Sequence, residues 1–369
     1  MAKRSDALPT ILMTADAVGG VWNYGLSLCA ALPQYRFVLA VMGPPPSPTQ
    51  RESALAIGNV VLEQADYRLE WMAGAEAELP AGRAWLGGLA RRYGASLFHC
   101  NGYAHATSKV GCPVLAVAHS DVLSWWSAVH RESASLAWHP YRREVIGGLT
   151  AASAVVALSR AVLDDLAGHY GFARRQAAVI PNGTDLGAFA QCPKRQVVMA
   201  AGRLWDEAKN FTLLDEIAGE LTWLVEIAGD CTHPESGSVC LRAAGSLGTL
   251  NRNQMAERLG AAAIFAAPAR YEPFGLGILE AAASGCALVL GDIPSLRENW
   301  EGAAVFVSPD DRPGWRAALA ALIANEHRRE NLGALAHQRA QQFSREEMAG
   351  RYAALYRKLI DMAERPEVA

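Results

Sequence analysis

Short apolar runs alternate with longer stretches of helical periodicity from one end of this chain to the other, and few folds accommodate that alternation. A strand buried on both faces reads as a continuous apolar run, and such strands occur where helices cover both sides of a parallel sheet. The runs at 10–14, 37–42, 96–100, 114–118, 154–158 and 178–180 predict a first series of strands. A polar, proline-containing stretch around 191–196 precedes a second series at 197–200, 223–228, 263–266, 287–290 and 305–307. Helical spacing fits 21–32, 83–93, 161–170, 211–220, 253–258, 275–283 and 315–324, and a charged amphipathic helix over 345–363 has no strand after it. With 369 residues the chain is long enough for two domains. The expectation is therefore an N-terminal α/β half over 1–190, a second over 191–343, and a terminal helical segment 344–369 as a candidate for crossing back to the first half. Ligands bind at the carboxyl ends of the strands in such sheets, so two mouths facing each other across a cleft are expected to form one site. The run 44–48 reads as a solvent loop.

Composition narrows the function. The 34 basic and 37 acidic residues, for a net charge of −3, are spread without a run of five like charges, so the footprint of a nucleic-acid binder is missing. Seven cysteines, at 29, 100, 112, 192, 231, 240 and 286, form no CxxC pair and no Cys/His zinc spacing. They read as reduced core thiols of a cytosolic protein. The longest uncharged stretch, 17–35, contains Gly19, Gly20, Asn23, Gly25 and Pro33 and reads as a loop plus an amphipathic helix rather than a membrane span. Lys3 and Arg4 are followed by Asp6, and the apolar segment 7–13 is too short for a signal peptide. The expected location is the cytoplasm.

The strongest chemical signal is ARYEPFGLGILEAAASGCALVLGD, 269–292. Between Glu272 and Asp292 the one charged residue is Glu280, set in an apolar helix, and a lone buried carboxylate is costly without polar partners. Gly275 and Gly277 flank the helix start, where unpaired N–H groups and small residues suit an anionic ligand, phosphate above all. The alternative is a core helix whose glutamate reaches solvent or a structural arginine. AGRLWDEAKNF, 200–211, places Arg203 and Lys209 in the loop after the first strand of the second half, where two cations neutralise a diphosphate or are merely solvated. In TADAVGGVWNYGLSL, 14–28, Gly19 and Gly20 follow the first strand and open the first helix. The dinucleotide fingerprint GxGxxG is absent, which leaves a tight loop for close approach to a ligand, or a plain turn. His119, in PVLAVAHSDVLSWW, lies just past a buried strand at the same edge. It is a ligand-facing residue or a satisfied core histidine, and Asp121, Trp125 and Trp126 line an acceptor pocket or pack. Asn182–Gly183 reads as a turn opening the connection between the halves.

In this order the pieces resemble the retaining glycosyltransferases of family 4, which have the GT-B fold of two Rossmann-like domains. The resemblance spans nearly the whole chain: Gly19–Gly20, His119, PNGTD at 181–185, GR…K at 202–209, IAGD at 227–230 and, most specifically, the E-x7-E motif EPFGLGILE from Glu272 to Glu280. It implies that Arg203 and Lys209 bind the donor diphosphate and that the backbone of Phe274, Gly275 and Leu276 holds phosphate and sugar. It further implies that Glu272 contacts donor-sugar hydroxyls, that Glu280 takes the nucleotide ribose, and that His119 and the Gly19–Gly20 loop close over the sugar. Glu298 in PSLREN matches a glutamate that often follows this region, although Asp292-Ile293-Pro294-Ser295 replaces the usual glycine-rich lead-in. The implied reaction moves a hexose from a nucleoside-diphosphate sugar, UDP or GDP, to a glycan, glycolipid or small-molecule acceptor. No cofactor and no metal are expected, and no Asp-x-Asp pair suited to carrying one is found. The residue chemistry agrees, because negative charge gathers on the leaving diphosphate and cations beside a helix N-terminus stabilise it preferentially. A covalent intermediate and same-face attack both remain open, with Glu272 favoured as a sugar ligand over a nucleophile.

Competing readings are a sugar-nucleotide epimerase or phosphorylase of the same architecture, an inactive nucleotide-sugar-binding subunit, and a nicotinamide-dependent oxidoreductase. A phosphorylase would be longer and carry a pyridoxal lysine. The intact Arg203, Lys209, Glu272 and Glu280 disfavour the inactive subunit, and the missing fingerprint disfavours the oxidoreductase. The acceptor would sit mainly in the first half, which holds Trp71, Trp85, Trp125, Trp126 and Trp138. That half is near neutral, with 15 basic and 14 acidic residues over 1–190, so docking to an anionic membrane is unsupported, although a short patch such as Arg83, Arg91 and Arg92 is suited to touching a surface.

Overall fold

The computed structural model describes residues 8–233 and 237–364. Lys3, Arg4, Asp6 and Ala7, at the start, and residues 365–369 of the terminal segment lie outside the described residues. The chain divides into two compact units, the first made of Met1–Leu123, Ser133–Pro181 and Arg345–Ala369, the second of Ser124–Glu132 and Asn182–Ser344.

Unit 1 is built on the strands β1 (Thr10–Asp16), β2 (Arg36–Met42), β3 (Val60–Gln64), β4 (Ala95–Cys100), β5 (Val114–Ala118), β6 (Ala154–Ala157) and β7 (Ala177–Val179). They form one parallel sheet in the order β3-β2-β1-β4-β5-β6-β7. Ile11, Leu12, Met13, Phe37, Val38 and Leu39 are buried, as expected for strands covered by helices on both faces. The terminal helix Arg345–Glu364 belongs to this unit, where its buried Tyr352 lies edge-on against Tyr24 of the helix Gly20–Ala31. Unit 2 repeats the plan with β8 (Arg195–Ala201), β9 (Leu224–Ala228), β10 (Gly245–Gly248), β11 (Ala262–Ala267), β12 (Ala287–Gly291) and β13 (Ala304–Val307), all parallel in the order β10-β9-β8-β11-β12-β13. In each sheet the order reverses beside the first strand, between β1 and β4 and between β8 and β11. That reversal opens a crevice at the carboxyl ends of the strands, the usual ligand position in such sheets.

All eleven predicted strands are present, but β3 and β10 were not legible. Both are edge strands: β3 is half-exposed and ends on Glu63 and Gln64, and β10 is GSLG, with a glycine at each end. Pairing with one neighbour, not an apolar run, makes them strands. The helices Pro48–Leu55, Val122–His130, His139–Ala151, Pro294–Trp300 and Glu326–Ala340 were also missed. The first starts inside the supposed solvent loop 44–48, because Ser47 and Gln50 form a capping box ahead of Pro48 at the first helical position. The helix predicted from 83 begins at Ala75 and carries Pro80 within it.

Two other expectations need correction. Cys29, Cys100 and Cys286 are buried, but Cys192 and Cys240 lie exposed in irregular segments and are not core thiols. Arg83 is not part of a free basic patch, since it is half-buried and donates to Ala104 O and to Glu144. Among the described residues no helix is long and apolar enough to cross a membrane.

Candidate active site

In unit 2 the loop after β8 is pinned to the loop after β9. Gly202 N donates to Ala228 O at 2.9 Å and Leu204 N to Asp230 O at 2.8 Å. Gly229 must be glycine, because its φ is +145° and a Cβ there would lie 1.7 Å from Gly202 O. The GR and IAGD segments are thus one structural feature that fixes where Arg203 begins. Arg203 Nη2 donates to Asp206 Oδ2 at 2.6 Å, and its guanidinium lies 5.1 Å over the Trp205 ring. Asp206, only 6% exposed, also accepts from Trp125 Nε1 at 3.0 Å. Burial works to raise the Asp206 pKa, but the charges of Arg203 and Lys209 and the hydrogen bonds from Trp125 and Arg203 outweigh it and hold the carboxyl below its ordinary value.

Lys209 ends the same loop. Its Nζ donates to Glu272 Oε2 at 2.6 Å, with both side chains less than a fifth exposed. Sequence reading assigned these two residues to diphosphate and sugar separately; the fold brings them together. Asn210 follows in the left-handed conformation and donates to Pro268 O and Pro309 O, tying the Lys209 loop to the segment that carries Glu272. Ser295 Oγ donates to Glu272 O at 2.6 Å, so the lead-in Asp292-Ile293-Pro294-Ser295, although it departs from the family pattern, still supports Glu272. Glu298 is exposed on the helix Pro294–Trp300.

Gly275, with φ +88°, caps the helix Leu276–Ala283 without a side-chain partner for its first N–H groups. Lys209, Glu272, Gly275 and Gly277 line a small recess of about 30 Å³ together with Ala201 and Phe265. Phe274 is buried, edge-on to Phe343, so only its backbone is available to a ligand. Glu280 is half-buried on the same helix and makes no side-chain hydrogen bond among the described residues. Burial, opposed only by the charge of Arg252, pushes its carboxyl up to about 7.

In unit 1, Gly19 caps the helix Gly20–Ala31 in an extended conformation, again with no side-chain cap. Asp16 Oδ1 accepts from Val18 N, and Gln50 Nε2 donates to Ala17 O, which together hold the glycine loop. His119 follows β5 and its Nε2 lies 2.9 Å from Asn101 Oδ1. Asp121 is buried and accepts from Tyr170 Oη at 2.7 Å, so it packs. Trp125 and Trp126, read with the first half, belong to the compact unit of the second. A larger cavity, of about 300 Å³, is lined in unit 1 by Trp138, Tyr141, Leu79, Glu70, Glu76 and Glu144. Asp206 and Asn101 were missed by sequence reasoning. The Arg203-x-x-Asp206 spacing and an Asn-Gly pair at the end of β4 were the available signals.

The profile of "Glycosyltransferase Family 4" matches residues 18–188, and that of "Glycosyl transferases group 1" matches residues 195–325. The chain is a glycosyltransferase of the family 4 type. This glycosyltransferase is 28% identical over 271 residues, 60% of its own chain and 70% of the relative, to an alpha-maltose-1-phosphate synthase of Mycobacterium tuberculosis. It is 28% identical over 254 residues, 57% and 58% of the two chains, to a D-inositol 3-phosphate glycosyltransferase of Kineococcus radiotolerans. Among solved structures, sucrose-phosphate synthase from Thermosynechococcus elongatus superposes with a TM-score of 0.78 at 18% identity, covering 96% of this chain and 100% of that one. Anabaena HepE in complex with UDP-glucose gives 0.77 at 16% identity, with 95% and 100% covered. At such identities the likeness shows the fold, and the fold is two-domain GT-B.

Proposed function

We propose that this glycosyltransferase is a retaining, metal-independent hexosyltransferase that takes its sugar from a nucleoside diphosphate. The observation that carries the reading is the disposition around the helix Leu276–Ala283, with the Lys209–Glu272 pair at its N-terminus and, on its body, the half-buried Glu280, which makes no side-chain hydrogen bond among the described residues. A diphosphate at that N-terminus meets the N–H groups and Lys209, with Arg203 as the second cation. Lys209 then shares its charge between diphosphate and Glu272, whose carboxylate becomes an acceptor for sugar hydroxyls. Glu280 accepts from the ribose. As the anomeric bond breaks, negative charge collects on the leaving diphosphate, where these cations and dipoles stabilise it most. Two positive side chains in that position take the part a divalent ion plays elsewhere. Glu272 stays beside the sugar as it gains positive charge, and Gly19, Gly20 and His119 of unit 1 are assigned to the same sugar.

HepE, a structural neighbour, is known in complex with UDP-glucose, which favours UDP over GDP for this chain. The acceptor, a glycan, glycolipid or small molecule, is assigned to unit 1, where the cavity lining includes the half-buried Trp138 for stacking and carboxylates for hydroxyl groups. The test is incubation with UDP-, GDP- and ADP-hexoses, with and without EDTA, reading nucleotide release and the anomeric configuration of the product by proton NMR. Turnover of a UDP-hexose that survives EDTA, with configuration kept, is expected. Inverted product, or activity lost in EDTA and restored by magnesium or manganese, overturns the corresponding part of the reading.

A further inference from the structure

The hydrogen bonds around Asn101 determine which nitrogen of His119 carries its proton. Asn101 N donates to Thr14 Oγ1 at 2.8 Å, and Asn101 Nδ2 donates to Thr14 O at 2.7 Å. A backbone carbonyl only accepts, so the amide nitrogen of Asn101 must face Thr14 and its Oδ1 must face away. Oδ1 lies 2.9 Å from His119 Nε2 and 2.9 Å from His99 Nε2. An amide oxygen also only accepts, so both Nε2 atoms carry hydrogen. His99 Nδ1 is then a lone pair, and Tyr356 Oη, 2.5 Å away on the terminal helix, donates to it. Each partner has a donor facing an acceptor, and no other assignment satisfies Thr14 O. His119 Nδ1 makes no hydrogen bond among the described residues, and the ring is half-buried.

The groups packed around the two imidazoles are Tyr24 from the helix Gly20–Ala31, with its ring 4.6 Å from that of His119, Asn101 and Thr14 from the strand ends, and Tyr352 and Tyr356 from the terminal helix. None of them is charged. Burial pushes His119 down to about 3, and burial with the neighbouring His119 does the same to His99.

We propose that Asn101 is a positioning residue that locks His119 as the neutral Nε2–H imidazole, so that His119 meets a donor-sugar hydroxyl only as an acceptor, through Nδ1, and never as an acid. The role at the sugar rests on the donor assignment made above; the lock itself does not. Whatever hydroxyl His119 receives must be a donor toward it, which gives the site a preference for a sugar whose hydroxyl is free at that point over one where it is methylated or replaced by a carbonyl.

Nitrogen-15 NMR of histidine-labelled protein, with His119 assigned by its loss in His119→Gln, tests this. The wild type should show His119 as one Nε2–H tautomer that does not titrate between pH 5.5 and 8. In Asn101→Ala the two tautomers should mix, with kcat falling about tenfold and nucleoside diphosphate affinity changing less than about threefold. Asn101→Asp places a carboxylate against the ring and should raise its pKa, so that His119 titrates above pH 5 and kcat/KM gains an acid limb at the same pH, absent from the wild type. An Nδ1–H tautomer in the wild type, or an unaltered tautomer in Asn101→Ala, overturns the lock. The wild-type spectrum needs no variant, so poor folding of the Asn101 variants does not protect the proposal. A lock that is present while Asn101→Asp acquires no acid limb overturns the acceptor role, and failure to turn over any sugar nucleotide is a separate result that refutes the donor assignment.

Discussion

Replacing Glu280 with glutamine should stabilise the protein and weaken nucleotide binding at once. The carboxyl sits on a helix whose Ile278, Leu279, Ala281, Ala282 and Ala283 are all buried, and burial raises its pKa from 4.5 to about 7. A value higher in the folded state means that the folded protein holds the proton more tightly than the unfolded chain. The group therefore costs almost nothing below pH 4, costs progressively more as the pH rises from about 4.5 to 7, and costs its full amount above that. At about 1.4 kcal/mol per unit the full amount is about 3 kcal/mol at pH 8, against less than about 1 kcal/mol at pH 5. Glutamine carries no charge to desolvate, so the variant should gain about 4 °C in Tm at pH 8 and almost nothing at pH 4. Binding should move the other way. If ribose hydroxyls donate to the carboxylate, the affinity of the wild type for a UDP-hexose rises about tenfold between pH 6 and 8 as the carboxyl ionises. Glu280→Gln should lose that slope and about 1.5–3 kcal/mol of affinity at pH 8. Differential scanning calorimetry at both pH values and titration calorimetry with the nucleotide sugar read the two effects. Equal stabilisation at pH 4 and pH 8 would refute the desolvated carboxyl, and unchanged affinity at pH 8 would refute the ribose contact.

Other variants separate the remaining roles. Glu272→Gln keeps a hydrogen-bonding group beside Lys209 but removes the charge facing the sugar, so kcat should fall at least about 100-fold while affinity for the bare nucleoside diphosphate stays within about threefold; equal weakening of the bare nucleotide by Glu272→Gln and Glu280→Gln would contradict the division of labour. Gly229→Ala, whose Cβ would lie 1.7 Å from Gly202 O, should cost more than about 2 kcal/mol and shift the Arg203 loop, seen as lowered Tm together with weaker diphosphate binding. Native thiol titration should find Cys192 and Cys240 reactive and Cys29, Cys100 and Cys286 silent until denaturation, because burial both hides the last three and pushes their thiols up.

Most of this fold was legible because a strand covered on both faces can contain little but apolar residues, which is why runs such as TILMT in β1 or ALVLG in β12 stand out without context. Edge strands escape that constraint. VVLEQ and GSLG are strands because a neighbour supplies their hydrogen bonds, and no local pattern announces it. The candidate site was legible in its types and not in its pairs. Arg203, Lys209, Glu272 and Glu280 were visible as charges in places that do not tolerate idle ones. The Lys209–Glu272 contact joins residues 63 apart in sequence, and it exists because β8 and β11 are neighbours whose carboxyl ends carry the two loops. Asn101 makes the same point more sharply. It bonds Thr14, 87 residues earlier, and His119, 18 residues later, and the three stand on or just after β1, β4 and β5, adjacent in the sheet. Nothing in the composition of any one segment places β1 next to β4; that follows from where the helical crossovers return the chain. Once the order is known, the last residue of each strand and the first after it become neighbours, and an asparagine that reads locally as half of an Asn-Gly turn becomes the group that decides what a histidine can do.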